Sequence, residues 1–243
     1  MDHRSKLKLE AAAAWSGVVF IVFYPIFWLI IGKMHPPVPY SMSPEDMKDY
    51  YLSHRDGIMY GMVFSAVVGG TWLPFTAQLA VTLRRIEGEG AVFTLISILG
   101  GVLTAWALIF TPVTWMMPAM RPDADAQIIR AFHDYAYLLF KGTFVISTLQ
   151  AVAHGVVGLL DRSPRKVFPA WSCWVAIAAG IGFAVAGPTP FIESGPFALD
   201  GWFAGWLPGT GFFIWTAVTT YYLILDVNQR QKGVVLDEST DLP

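Results

Sequence analysis

Long apolar stretches separated by short polar segments dominate the pattern along the chain. A helix needs about 20 predominantly apolar residues to cross roughly 30 Å of hydrocarbon. Six stretches reach that length, at about 11–32, 57–83, 91–112, 131–160, 168–188 and 202–226. The pattern predicts an all-α membrane protein, a six-transmembrane-helix bundle. We place one membrane domain over residues 1–230 and a polar, disordered tail over 231–243.

The first apolar stretch follows the segment HRSKLKLE, which is typical of the start of a signal peptide. The run from Ala11 to Gly32 is longer than a signal h-region of about 7–15 residues, and no small-residue cleavage site follows it. We therefore interpret this stretch as a retained membrane helix, with a cleaved signal as the alternative.

Composition agrees with a membrane protein and narrows its partners. The chain is 55% hydrophobic and 14% charged, whereas soluble domains carry about 25% charged residues. A net charge of −2 and the lack of a long basic run argue against nucleic acid as a partner. The single cysteine, Cys173, excludes an internal disulfide and Cys-rich metal sites.

Lysine and arginine in the loops predict the orientation, because cytoplasmic loops carry an excess of these residues. If the N-terminus is cytoplasmic, ten Lys and Arg residues lie in inside segments and five in outside loops. We therefore expect a multi-pass protein of the bacterial cytoplasmic (inner) membrane with both termini cytoplasmic.

The longest outer loop contains a short helix signal in SMSPEDMKDYYLSH. Ser43 is a suitable N-cap, and Pro44 fits the first helical position. Met47, Tyr50 and Tyr51 then share one side, as in a helix at a membrane interface. The three helix pairs all have a loop of this kind between spans, which indicates either a repeated hairpin or merely shared composition.

Prolines and glycines inside the spans predict kinks and close packing. Pro25, Pro74 and Pro208 each remove a backbone hydrogen bond from a span. Glycine recurs every four residues, a spacing that lets helices approach closely, at 57 and 61 and again at 201, 205 and 209. These glycines serve ordinary helix packing or, beside a kink, open a cavity.

The fourth span carries a lysine in its middle, in the segment YLLFKGTFV. Asp134, Tyr137, Lys141 and Thr148 fall within about 60° of one another on a helical wheel. Seven residues, roughly 10 Å of rise, separate Asp134 from Lys141, so the two share a face without direct contact. We expect Lys141 to face a cavity, with its partner an acid, a carbonyl group or a ligand.

A second polar stripe on the same span includes Gln150 and His154, with Gln78 of the second span as a natural partner. Such residues form either interhelical hydrogen bonds or a proton or solute path. The aromatic third outer loop and its helix suit either a membrane-interface belt or the mouth of an apolar cavity. The predicted cavity residues are Lys141, Asp134, Tyr137, Thr148, Gln78, Gln150, His154, Glu193, Trp202 and Trp206.

Metal binding is a further hypothesis for the outer face. Its candidate ligands are His54, Asp56, His133, Met116 and Met120, which offer imidazole, carboxylate and thioether groups to copper or another divalent ion. They lack a diagnostic spacing such as H-E-x-x-H, and the sequence contains no nucleotide-binding motif. We expect no cofactor.

Two short motifs resemble those of a group of bacterial six-span membrane proteins. Arg85, Glu87 and Gly88 match R-x-E-G, and a second motif, G-P-F-A-x-x-G, is matched by Gly195, Pro196, Phe197, Ala198 and Gly201. The resemblance extends over nearly the whole chain. It implies a six-span fold and no particular activity.

The leading functional hypothesis is binding or transport of a small apolar or amphipathic solute in an outward-facing cavity. An accessory subunit of a membrane complex, or a homo-oligomer, is equally compatible with the pattern. The alternative is a membrane enzyme or metal-binding protein that uses the outer His, Asp and Met residues. The lipid bilayer is the one partner that the composition itself requires.

Overall fold

The chain forms helices along most of its length. The structure, a computed structural model, describes residues 2–39 and 41–240, with 234–240 described by the backbone alone. The helices are α1 His3–Pro25, α2 Pro44–Ser53, α3 Arg55–Gly69, α4 Trp72–Glu87, α5 Val92–Met120, α6 Ala126–Gly142, α7 Phe144–Leu160, α8 Ala170–Phe183 and α9 Trp202–Thr240. A π-helical turn, Ile26–Ile31, continues α1, and two 3₁₀ turns follow α8, at Ala184–Ala186 and Thr189–Phe191.

Six helical segments are long and apolar enough to cross a membrane, which confirms the predicted number of spans. They are His3–Ile31, Arg55–Glu87, Val92–Met120, Ala126–Leu160, Ala170–Phe191 and Trp202–Gly233. The described part of the chain contains no strand. The protein is therefore an all-α, multi-pass membrane protein.

The helices extend beyond the predicted apolar stretches, because polar residues continue a helix into the water layer without belonging to the hydrocarbon core. The last helix, α9, extends to Thr240 and so enters the segment predicted as a disordered tail. Residues 241–243 of that predicted tail lie outside the described residues.

The six spans pack in a ring that follows their order in the sequence. Each span contacts the next one along the chain, and α9 closes the ring against α1. Short connections favour this arrangement, because they force consecutive helices to be antiparallel neighbours. We call the end of the bundle that holds α2 and the α8–α9 connection the α2 face. The opposite end, the basic face, holds the α4–α5 and α7–α8 connections.

The predicted short helix in the first long loop is confirmed as α2. The Ser43 hydroxyl accepts a hydrogen bond from the Asp46 backbone N–H at 3.1 Å, and Pro44 occupies the first turn. The side that the sequence assigns to a membrane interface packs instead on protein. Met47 and Tyr51 are buried, and the Tyr51 hydroxyl lies 2.9 Å from His133 Nδ1 of α6.

Close packing at glycine is confirmed between the first two spans. A Cβ atom added at Gly61 would lie 2.5 Å from the Gly32 backbone, and one at Gly57 would lie 2.7 Å from the Ile31 carbonyl oxygen. These glycines therefore allow α3 to contact the end of the first span directly.

The R-x-E-G motif has a structural role at the α4–α5 connection. The Glu87 carboxylate accepts hydrogen bonds from the backbone N–H groups of Phe93 and Thr94, at 2.9 and 2.8 Å. These donors lie in the first turn of α5, where N–H groups have no intrahelical partner. Gly88 adopts a φ of 77°, a conformation that favours glycine. The motif thus ends α4 and caps α5.

Two spans are interrupted. The regular helix of the second span stops at Gly70 and Thr71, between α3 and α4, and that of the fourth stops at Thr143, between α6 and α7. The interruption of the fourth span places Lys141 in the last turn of α6, close to the middle of a 35-residue span.

Candidate ligand site at the break of the fourth span

The Lys141 side chain is buried and bonded to backbone carbonyl groups. Its Nζ donates to the Leu199 carbonyl oxygen at 2.8 Å and to the Ala204 carbonyl oxygen at 3.2 Å. Only 8% of the residue is exposed. Of the partners that the sequence left open for Lys141, the structure therefore selects a pair of carbonyl groups, with the Asp200 carboxylate near enough for its charge to act on the ammonium.

Proline at position 208 explains why Ala204 accepts from a lysine. In an α-helix, the carbonyl of residue i accepts from the N–H of residue i+4. The residue four positions after Ala204 is Pro208, which has no N–H. The ammonium of Lys141 thus supplies the donor that Pro208 removes from α9.

The loop before α9 is built around two glycines and a proline of the second motif. The Pro196 carbonyl oxygen accepts from the N–H groups of Phe203 and Ala204, at 3.0 and 3.1 Å. Gly195 has a φ of 92°, and a Cβ at Gly201 would lie 2.3 Å from the Gly195 carbonyl oxygen. The loop can therefore fold back onto the first turn of α9 and present the Leu199 carbonyl to Lys141.

A cavity of about 100 Å³ lies beside Lys141, between α1, α5, α6, α7, α8 and α9. Eight of the twenty lining residues are aromatic, and they are Phe20, Tyr24, Trp28, Phe140, Phe144, Phe183, Phe212 and Phe213. The polar side chains of the wall are those of His35, Thr104, Lys141, Thr143 and Ser147. The site is thus mainly apolar with a few convergent polar groups, as small-molecule sites commonly are.

Two hydrogen-bonding atoms of the wall are buried without a partner among the described residues, namely Trp28 Nε1 and His35 Nδ1. The His35 ring lies 5.0 Å from the Trp28 ring and 4.4 Å from the Trp206 ring, between centroids. Burial, with the charge of Lys141 nearby, lowers the pKa of His35 from 6.5 to about 4. His35 is therefore neutral at pH 7, and Lys141 is the cation of the wall.

Glycine provides the free space on the α9 side of the cavity. Gly205 is buried, yet the nearest described atoms to a Cβ added there are 3.9 Å away. A Cβ added at Gly209 would have no described neighbour within 4 Å. Both residues line the cavity beside Pro208. Of the two roles that the sequence left open for this glycine series, opening a cavity fits residues 205 and 209, and close packing fits Gly201.

The residues that share a helical face with Lys141 lie outside the cavity wall. Asp134 is 3.7 Å from Arg130 in an ion pair on α6. The Tyr137 hydroxyl donates to the Met34 carbonyl oxygen, and the Thr148 hydroxyl donates to the Gly180 carbonyl oxygen at 2.8 Å. The break at Thr143 separates Thr148, on α7, from the face of Lys141. Asp134 and Tyr137 stay on α6 with the lysine, but they lie about two turns and one turn nearer the α2 face, where they contact other groups.

The second polar stripe forms hydrogen bonds between helices. Gln150 accepts from Trp72 Nε1 at 3.2 Å and donates to Thr76 at 3.1 Å. His154 Nδ1 accepts from Trp215 Nε1 at 3.0 Å. These contacts correspond to the interhelical interpretation of the stripe.

The remaining predicted cavity residues also occupy other places. Gln78 lies toward the basic face, where its amide donates to Glu10 at 3.4 Å. Glu193 and Trp202 are exposed, Trp202 by 68%. Trp206 covers His35 from outside the wall. Of the ten predicted cavity residues, Lys141 alone lines this cavity.

Sequence reasoning missed Trp28 and His35 as parts of the site. Trp28 falls within an ordinary apolar stretch, and His35 follows the first span in a loop, so neither stands out in the pattern. The spacing between Ala204 and Pro208 does offer a signal, because a proline inside a span always leaves a carbonyl that needs another donor.

The proposed metal ligands are not gathered into one site. The described residues contain no group of three or more His, Cys, Asp or Glu side chains placed to hold a metal. His133 is buried beside Tyr51, His54 lies beside Tyr50, and Asp56 is largely exposed next to Arg55. Met116 is partly buried and Met120 is 52% exposed. The metal hypothesis therefore gains no geometric support.

Comparisons of the chain with protein-family models, with curated proteins and with solved structures find no match in any of the three. The class of protein that the fold defines is an all-α membrane protein with six spans and a small internal cavity.

Proposed function

We propose that the protein binds a small amphipathic solute in the cavity beside Lys141, as a carrier or receptor for that solute in the bacterial cytoplasmic membrane. The observation that carries the proposal is a mainly apolar cavity lined by a lysine and by two rings, Trp28 and His35, that each have an unpartnered nitrogen atom. A buried cation inside a membrane span is costly and commonly marks a solute site.

The orientation in this proposal follows the excess of Lys and Arg at the basic face. Cytoplasmic loops carry that excess, so the basic face is cytoplasmic and the α2 face is outside. The cavity is lined by the first turns of α9 and by His35, which belong to the α2 face. A solute would accordingly enter from the outer side.

The wall limits the chemistry and size of the solute. An engineered apolar cavity of about 150 Å³ holds benzene, so a cavity of about 100 Å³ takes only a few heavy atoms in this conformation. Lys141 has three N–H donors and uses two of them on carbonyl groups. The third, with Trp28 Nε1, suits one acceptor or one negative charge, so a short carboxylate on an apolar tail fits best.

Direct binding tests the proposal on the purified full-length protein. The probes are straight-chain carboxylates from acetate to octanoate, with the matching primary alcohols as neutral comparators. Isothermal titration calorimetry and Trp fluorescence report binding. We expect a short carboxylate to bind more tightly than its alcohol, because the carboxylate adds an ionic attraction to the hydrogen bond from the Lys141 ammonium, whereas the alcohol offers only a neutral acceptor.

Two variants separate a solute site from a purely structural lysine. Gly205→Val fills the cavity from a position where the nearest atoms to an added Cβ are the Leu199 and Asp200 carbonyl oxygens, 3.9 Å away. Gly182→Val is a matched change on α8, outside the cavity wall and with no described neighbour within 4 Å. We expect Gly205→Val to abolish carboxylate binding and Gly182→Val to retain it. Equal binding by both variants, or no carboxylate binding by the unmodified protein, would overturn the proposal.

The accessory-subunit, homo-oligomer, enzyme and metal-binding hypotheses stay predictions. The resemblance to bacterial six-span proteins also stays a proposal about family. Its two motifs have the structural roles described above, in capping α5 and in shaping the loop that Lys141 contacts.

A further inference from the structure

A second recess lies at the basic face, on the far side of the molecule from Lys141. Its volume is about 760 Å³, and it is bounded by the end of α4, the α7–α8 connection and the last membrane turns of α9. The solute proposal does not use this recess, which we call the basic groove.

The basic groove concentrates positive charge. Its wall carries five cationic side chains and two carboxylates, a net charge of +3. The carboxylates are those of Asp161 and Asp226, and the cations are Arg85, Arg162, Arg165, Lys166 and Arg230. Because the whole chain has a net charge of −2, this local excess is a property of the groove and not of the protein.

Two of these cations are already neutralised. Arg85 lies 2.5 Å from Asp226, and Arg230 lies 3.1 Å from the same carboxylate. Arg230 also pairs with Glu10 of α1. This network ties α1, α4 and α9 together and gives the groove a fixed inner wall.

The other three cations have no such partner. In the part of the chain that the structure describes, Arg162, Arg165 and Lys166 form no ion pair, and all three are exposed. They project from one short connection, which Asp161 holds by accepting from the Ser163 backbone N–H at 2.8 Å. An anion at the groove would therefore meet three available cations without breaking an existing pair.

One further polar atom, in a residue that lines the groove, lacks a partner. Asp161 is only 5% exposed, and its Oδ2 has no hydrogen-bond partner among the described residues. A buried carboxylate oxygen of this kind needs a donor. A ligand that combines a phosphate with a hydroxyl group satisfies both the free cations and this acceptor.

Apart from Ser163 and Gln229, the rest of the wall is apolar. Leu160, Val167, Tyr222 and Leu225 contribute to it, and Leu160 is 63% exposed. Trp171, 54% exposed, packs its ring against Tyr222 at 6.0 Å. Exposed tryptophan beside tyrosine is typical of the headgroup level of a bilayer.

We propose that the basic groove binds the headgroup of an anionic phospholipid that carries a hydroxyl group, of the phosphatidylglycerol class. Arg162, Arg165 and Lys166 hold the phosphate, Asp161 accepts from the headgroup hydroxyl, and the acyl chains follow the exposed apolar wall. Basic recesses between membrane helices on the cytoplasmic side are suited to such headgroups. A soluble phosphate shares the ionic contacts but gains nothing from the apolar wall.

The test uses full-length protein in nanodiscs of phosphatidylcholine, titrated with phosphatidylglycerol and analysed by native mass spectrometry. The triple variant Arg162→Gln, Arg165→Gln, Lys166→Gln removes the free cations. The matched control is Arg4→Gln, Lys6→Gln, Lys8→Gln, which removes three exposed cations from the same face outside the groove. Each cation contributes roughly a factor of five in affinity, so we expect the groove variant to bind phosphatidylglycerol on the order of a hundredfold more weakly than the unmodified protein.

The control variant should bind phosphatidylglycerol as the unmodified protein does, because its cations do not line the groove. If both variants bound phosphatidylglycerol equally weakly, the loss would reflect general attraction to an anionic membrane surface, and the proposal would be overturned. Displacement of the lipid by millimolar inorganic phosphate, with tight binding of phosphate alone, would assign the groove to a soluble phosphate and also overturn it. The three substituted residues are exposed and form no ion pair, so we expect the groove variant to unfold at the same temperature as the unmodified protein. This measurement checks that the variant is folded.

Discussion

Replacing Lys141 by methionine tests whether the lysine compensates for Pro208. The substitution keeps the length and apolar stem of the side chain and removes the ammonium. It leaves the carbonyl groups of Leu199 and Ala204 without their observed donor. Changing Pro208 to alanine restores an N–H four residues after Ala204, so an ordinary helical hydrogen bond can replace the contact with Lys141.

The expected magnitude follows from these contacts. A buried carbonyl without a partner costs about 1–3 kcal/mol, and interhelical hydrogen bonds in a membrane protein average about 0.6 and reach about 1.7 kcal/mol. Pro208→Ala rescues one of the two carbonyl groups. We therefore expect Lys141→Met to cost about 1 kcal/mol less in the Pro208→Ala background than in the unmodified protein.

A double-mutant cycle measures this coupling. Reversible unfolding in mixed detergent micelles, followed by circular dichroism, gives the free energy of unfolding for the four proteins. A second cycle combines Lys141→Met with Pro25→Ala, a proline in α1 whose freed carbonyl does not contact the lysine. Coupling confined to the first cycle supports the compensation. Additivity within about 0.5 kcal/mol in both cycles would refute it.

Two further predictions concern pH and helix packing. Because burial lowers the pKa of His35 from 6.5 to about 4, its neutral form stabilises the fold above pH 6.5, and that stability falls as the pH drops toward 4. Between pH 6.5 and pH 4, the free energy of unfolding of His35→Phe should therefore fall by up to about 3 kcal/mol less than that of the unmodified protein. Parallel curves of unfolding free energy against pH for the two proteins would contradict this. Gly61→Ala should lower the free energy of unfolding by about 1–3 kcal/mol, because its Cβ would lie 2.5 Å from the Gly32 backbone. Gly182→Ala, with no described neighbour within 4 Å, should leave that free energy unchanged or raise it. Equal unfolding temperatures for the two variants would refute the packing argument.

Local signals in the sequence were sufficient for the membrane class and for several details. The length of the apolar stretches determines the number of spans, because a bilayer imposes one minimum length on every crossing helix. The capping of α2 by Ser43 and the close contact at Gly61 were likewise predictable. In each case a residue type and its neighbours along the chain are enough to define the interaction.

The candidate site depended on information that a linear pattern does not contain. A helical wheel assumes one continuous helix, and on that assumption Asp134, Tyr137 and Thr148 share the face of Lys141. The break at Thr143 takes Thr148 out of that face, whereas Asp134 and Tyr137 remain on α6 but lie nearer the α2 face, where they contact Arg130 and Met34. His35 enters the site from a different part of the chain, 106 positions before Lys141, through the closing of the ring.

By itself, the sequence determined that the chain forms six helices long and apolar enough to cross a membrane and that Lys141 requires a partner inside the protein. The physical reason is local, since hydrocarbon excludes unpaired backbone and side-chain polar groups wherever they occur. Only the tertiary structure decided that the partners are the carbonyl groups of Leu199 and Ala204, the second of them left without a helical donor by Pro208. That outcome depends on which turn of α9 lies within reach of the Lys141 side chain, and this placement is set by side chains far apart in the sequence.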